Sequence, residues 1–246
     1  MSGAGRVNLE PAWVLHRRPY RDTSEIVDLF APNHGRVGAV ARGSRRARRR
    51  TPLELFQPLH VSWAGKGELV TLAGAEPRGR GLEATGRRLL SMFYVNELVL
   101  RLTLRQDPHP DIFATYESTV YRLAQDAGEA KTLRLFERDL LDSLGYGLLL
   151  DRDVEGAEVR ADCAYQYRLE EGPRRAEGNA GSALRISGRA LRAIHTGCLD
   201  DATELREARL LLTAALDHYL GGRPLKTRQF LNALRSRASG SSLLAK

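Results

Sequence analysis

Through the first eighty residues, apolar positions come in short runs broken by Gly, Pro, Asn and Arg. Ala12–His16 is a short apolar stretch. Ser24–Ala31 carries Ile26, Val27, Leu29 and Phe30, and Pro32, Asn33, His34 and Gly35 then mark a turn. Arg36–Ala41 resumes with Val37, Ala39 and Val40. In Leu59–Trp63, Leu59, Val61 and Trp63 alternate with His60 and Ser62, the period of a half-buried strand. Ala64-Gly65-Lys66-Gly67 turns the chain, and Glu68–Ala75 returns it. Five short strands with glycine-rich turns predict a small closed or nearly closed barrel. The OB-fold is the best-known five-stranded candidate, and it commonly binds single strands.

From Leu82 the period changes from two to three or four. Leu89, Leu90, Phe93, Tyr94, Leu98 and Arg101 fall at helical spacing. Asp111–Gln125 repeats the pattern after Pro108 and Pro110, and Lys131–Leu144 predicts a third helix with Gly145 placed to end it. Asp151–Ala183 is rich in Gly, Glu and Arg, with one strand-like patch at Tyr165–Leu169. It predicts a loop with a short hairpin. Ser187 is placed to cap a short helix through Ile194 that Gly197 ends. Thr203–Leu220 and Thr227–Arg237 predict two more helices, the first stopped by Gly221-Gly222-Arg223-Pro224, with a polar tail at Ser239–Lys246. The class is α+β: a five-stranded OB-fold barrel over residues 1–80, then a helical domain over 81–246 with an insertion near 151–183.

Charge sharpens this picture. The chain of 246 residues has a formal net charge of +8. Residues 1–80 hold 14 Lys or Arg against 7 Asp or Glu, while residues 81–246 hold 24 against 23. Most of the excess comes from Arg42–Arg50, six arginines in nine residues without one acid. No large apolar side chain is present there to build a core. Guanidinium groups stay ionised and fit phosphate oxygens, and neutralising phosphates releases counterions. The competing reading is a solvated basic loop. Arg42, Arg45, Arg46, Arg48, Arg49 and Arg50, with Arg17, Arg18 and Arg36 nearby, are the candidate DNA-binding residues. Tyr20, Phe56 and Trp63 are candidates for base stacking, with core packing the competing role, chiefly for Trp63.

Other chemistry is thin. No phosphate-binding Walker loop, Gly-x-Ser-x-Gly or His-Glu-x-x-His occurs. The six histidines lack metal-ligand spacing, and Cys163 and Cys198 stand far apart, outside any Cys-x-x-Cys pair. The expectation is a binder rather than an enzyme, without cofactor or metal, soluble and cytoplasmic. Apolar runs such as Leu148–Leu150 and Leu210–Leu212 are far too short to span a bilayer. Arg134 and Arg138 stand four apart on one face of the third helix. They fit either a binding role or pairing with Glu137, Asp139 and solvent.

Trp13-Val14-Leu15-His16-Arg17-Arg18-Pro19-Tyr20, with Thr23-Ser24 and Ile26–Phe30, resembles the opening of the bacterial recombination mediators of the RecO family. Gly35-Arg36-Val37 and Val40-Ala41-Arg42-Gly43 before a basic loop add to the likeness. Tyr94-Val95-Asn96-Glu97-Leu98 is similar to that family's first long helix. Leu133-Arg134-Leu135-Phe136-Glu137 leading to Leu144-Gly145-Tyr146-Gly147 is similar to its third. Tyr219-Leu220-Gly221-Gly222 and Pro224-Leu225-Lys226-Thr227-Arg228 look like its C-terminal signature. The resemblance implies an OB-fold followed by a helical domain, and a nucleoid-associated, non-enzymatic protein that is monomeric when free. It implies binding of single- and double-stranded DNA, annealing of complementary strands, and action with RecR to load RecA onto DNA coated by single-strand-binding protein. It places a contact for the acidic C-terminal tail of that coating protein at Arg134, and helical spacing sets Leu133, Arg138 and Leu141 beside it as the further candidate tail-binding residues. Some members carry a four-cysteine zinc site in the segment matching Asp151–Ala183. Only Cys163 stands there, so no structural zinc is expected. An RNA- or ribosome-associated OB-fold protein is the second reading, and a nuclease the third.

Overall fold

The computed structural model describes residues 5–44, 53–176 and 184–230. Its N-terminal part is a closed five-stranded barrel with strand order β1-β2-β3-β5-β4. The strands are β1 (Arg6–Tyr20), β2 (Ser24–Ala31), β3 (Gly35–Ala41), β4 (Leu59–Ala64) and β5 (Leu69–Pro77). Closure is the work of β1. Arg6 to Ala12 pairs with β4 and Trp13 to Tyr20 pairs with β2, with register shifts between Val7 and Glu10 and between Val14 and His16. Such irregularities bend a strand enough for one chain segment to serve two neighbours. The β3–β5 pairing is parallel, through Gly38, Ala39 and Val40 against Leu69, Val70 and Thr71.

Alternation puts Val14, Val27, Leu29, Val37, Leu59, Val61, Trp63 and Val70 inside the barrel. In β2 the residues between these inward ones are buried as well, because two helices pack on the outer face of the barrel, the first on β1 and the second on β2. These are α1 (Gly86–Leu102) and α2 (Pro110–Ala124). Trp13 and Phe30 point outward from the barrel yet are fully buried. Phe30 meets Phe113 at 5.6 Å and Tyr116 at 5.8 Å, and Trp13 meets Tyr116 at 6.0 Å and Tyr121 at 5.8 Å. Tyr116 Oη donates to Asn96 Oδ1 (2.7 Å), and Asn96 Nδ2 donates to the Leu15 carbonyl (3.0 Å), so the buried polar groups find partners. Burial pushes the Tyr116 phenol far above its ordinary pKa, with the Glu117 charge adding to this, so it stays a neutral donor.

Two compact units result. The described residues up to Gln125, together with 227–230, form one, and Asp126–Lys226 forms the other. In the second unit α3 (Glu129–Ser143), α4 (Gly188–Thr196) and α5 (Ala202–Tyr219) accompany a sheet of order β7-β6-β8. The sheet is built from β6 (Ala164–Arg168), β7 (Gly172–Arg175) and β8 (Leu184–Ser187). The expected hairpin insertion is therefore only part of what forms. Leu184–Ser187 adds a third strand, because Ile186 alternates inward and pairs opposite Tyr165 in one core. α3 closes as foreseen at Gly145, which has φ of 79°. The Tyr146 amide donates to the Leu141 carbonyl (2.8 Å) and the Gly145 amide to that of Asp142 (2.9 Å). Ser187 caps α4 by accepting from the Ala190 amide, and Gly197 ends it in the left-handed conformation. The chain is helical again at 226–230; the rest of the expected last helix and the polar tail lie outside the described residues.

Candidate nucleic-acid interface

The basic stretch leaves the barrel at the end of β3. Its root is fixed: Ser44 is buried and donates from Oγ to Glu25 Oε2 (3.0 Å) and to the Ala41 carbonyl (3.1 Å). Arg42 is exposed beside it, while Arg45, Arg46, Arg48, Arg49 and Arg50 lie outside the described residues. On β1, which β2 separates from β3, Arg17 and Arg18 are exposed. Arg17 stands 3.2 Å from Glu54 with both side chains well solvated, a weak pair that a phosphate can replace. Arg18, Arg42 and the turn residue Arg21 thus crowd one rim of the barrel.

Arg36 differs from them. It is half-buried and donates from Nη1 to the Leu100 carbonyl at the end of α1 (2.6 Å). Burial and the adjacent Arg105 lower its pKa, with Asp28 opposing. A guanidinium held on the last carbonyls of a helix is already serving that helix.

Between the β1–β2 turn, the end of β3 and the start of β5 lies an open cleft of about 810 Å³. Tyr20, Thr23, Ser24, Val40, Arg42 and Leu69 are among its lining residues. Strand register explains the gathering: Ile26 pairs with Arg18 on β1 and Val40 on β3, and Val40 pairs with Thr71 on β5. The cleft therefore opens at the end of β3 and the start of β5, beside the β1–β2 turn, and that turn is one of the loops with which OB-folds take oligonucleotides. Tyr20 and residues 69–71 lie far apart in the sequence and meet only in the fold. The other two aromatic candidates, Phe56 and Trp63, are buried.

On α3, Arg134 is only 8% exposed and pairs with Glu137, which is fully buried. Arg138 donates from Nη1 to the Ile194 carbonyl (2.6 Å) and that of His195 (3.2 Å), where α4 ends, and it also pairs with Asp139. Leu141 is buried and Leu133 half-buried. The four residues share a helix, but their charged groups point to separate partners within this unit.

Two family models match: Recombination protein O N terminal over residues 7–79, and Recombination protein O C terminal over residues 83–229. The DNA repair protein RecO of Alkalilimnicola ehrlichii is 48% identical over 237 residues, covering 95% of this chain and 94% of its own. The proteins of the same name from Nitrosococcus oceani (45% over 233 residues; 94% and 95% covered) and Azoarcus sp. (42% over 235; 93% and 97%) are similar along almost their whole lengths. The chain belongs to the RecO family. The two RecO models divide between residues 79 and 83, where β-structure gives way to helix, whereas compactness divides the chain after Gln125. Cys163 accepts from Arg175 Nη2 (2.8 Å). Among the described residues no three His, Cys, Asp or Glu side chains gather to hold a metal ion, and no helix is long and apolar enough to cross a membrane.

Proposed function

We propose that the protein is a mediator of DNA repair and recombination that binds single- and double-stranded DNA and anneals complementary strands. With RecR it would help load RecA onto DNA coated by single-strand-binding protein, working at the nucleoid in the cytoplasm. The observation that carries this reading is the match of both RecO models in order along the chain. The charged rim supplies the chemistry. Arg17, Arg18 and Arg42, continued by Arg45, Arg46, Arg48, Arg49 and Arg50, would track phosphates without reading sequence. Family membership favours DNA over the RNA-associated alternative and a binder over a nuclease. The acidic tail of the coating protein would approach α3 at Leu133 and Arg134. There its carboxylate must compete with Glu137 for the guanidinium.

The test is annealing of complementary oligonucleotides coated by single-strand-binding protein, with cleavage followed in the same reaction. Annealing without cleavage is expected; failure to anneal overturns the reading. Replacing Arg45, Arg46, Arg48 and Arg49 with Ala should flatten the dependence of log affinity on log salt by roughly 0.7 per lost contact on single strands. An unchanged slope removes the loop from the site.

A further inference from the structure

We propose that the cleft beside the β1–β2 turn seats one unpaired base of a single DNA strand, with Tyr20 as its stacking wall and Leu69 as part of its floor. The inference rests on the DNA-binding reading above and adds a place where single and double strands are told apart. Four observations lead to it. The cleft's volume of about 810 Å³ lies in the range of sites that enclose small ligands, roughly 300–1,000 Å³. Leu69, in its lining, is 46% exposed, an apolar side chain left bare at the head of a strand. The Arg21 guanidinium lies 5.1 Å from the centroid of the Tyr20 ring, so a flat cation and a flat aromatic stand together at the lip. Arg21 itself is held at φ of 53°, a conformation costly for a side chain of this kind and concentrated at functional sites.

These groups answer the parts of a nucleotide. A base offers two apolar faces and a polar edge. Tyr20 and Leu69 suit the faces, and the hydroxyls of Thr23, Ser24 and Thr71 suit the edge without selecting among bases. Guanidinium planes also stack on bases, so Arg21 can follow the base as it enters. Arg42 lines the same cleft, and Arg18 stands two positions before Tyr20 on the same side of β1. Both are exposed where the adjoining phosphates would run. Asp22, the one acid in the lining, is exposed at the turn. A paired base cannot enter, because both its faces are already stacked and its edge is already bonded.

The experiment uses the full chain and compares Tyr20→Ala and Tyr20→Phe with the wild type. Affinities for a single-stranded 20-mer and for its duplex are read by fluorescence anisotropy, and a 2-aminopurine base in the single strand reports stacking. Tyr20→Ala should lose roughly tenfold in single-strand affinity and the 2-aminopurine quenching. Its duplex affinity should stay within about twofold and its single-strand salt slope should be unchanged. Tyr20→Phe should behave as wild type. Equal losses on both DNA forms, or no loss on the single strand, overturn the proposal while leaving the basic rim in place. A wild-type protein that binds neither form overturns the DNA reading itself.

Discussion

On the barrel rim, Arg18, Arg21 and Arg42 are exposed. On α3, Arg134 is buried against Glu137, and Arg138 closes the end of α4 through two carbonyls. The side chain is the same, but on α3 it stands among apolar and acidic neighbours, whereas Arg18 and Arg42 have no acid within two residues. The difference lies in whether the fold supplies an acceptor. A guanidinium facing water keeps its donors for a phosphate, and one given a carboxylate or a helix end spends them on the fold. Arg36, outside the loop yet counted with it on sequence grounds, belongs with the second group through the Leu100 carbonyl.

The contrast can be broken most directly at Arg134. Arg134→Ala leaves the fully buried Glu137 without its guanidinium and should destabilise the protein by about 3–5 kcal/mol, measured by urea unfolding. A loss under about 1 kcal/mol would mean the pair is solvated and α3 resembles the rim. Arg138→Ala removes charged donors from the Ile194 and His195 carbonyls and should lower stability by about 2 kcal/mol in the same assay. Arg18→Ala is the smallest case. Stability should hold within about 0.5 kcal/mol, while the salt slope for single strands falls by roughly 0.7. A stability loss like that of Arg138→Ala would place Arg18 among the structural arginines.

Much of the fold could be read from residue order because local signals agreed. β2 was found at its full length, since a nearly unbroken apolar run lies between two turns. Ser187 and Gly197 bracketed α4 correctly, because caps are short-range chemistry. β1 proved far longer than its apolar centre. Its ends are polar, and the register shift after Val14 interrupts the period that marks a strand. β8 has no local signature, because four residues with one inward side chain make a weak signal. The site was legible as charge and not as shape. Arginine density pointed to the rim. Tyr20, Arg42 and Leu69 meet only through the parallel pairing of β3 with β5, a long-range contact that no local pattern encodes.

The helix-covered face of β1 and β2 bears on how the chain is made. When a ribosome has released the barrel strands, Trp13 and Phe30 still lack the side chains that bury them, because Phe113, Tyr116 and Tyr121 have not been synthesised. At roughly 5–20 residues per second, the wait for α2 lasts a few seconds. During that interval the nascent barrel leaves Trp13 and Phe30 bare to the cell. Synthesis therefore has a vulnerable window that opens near residue 80 and closes near residue 125, and a chaperone that holds apolar surface would matter most within it.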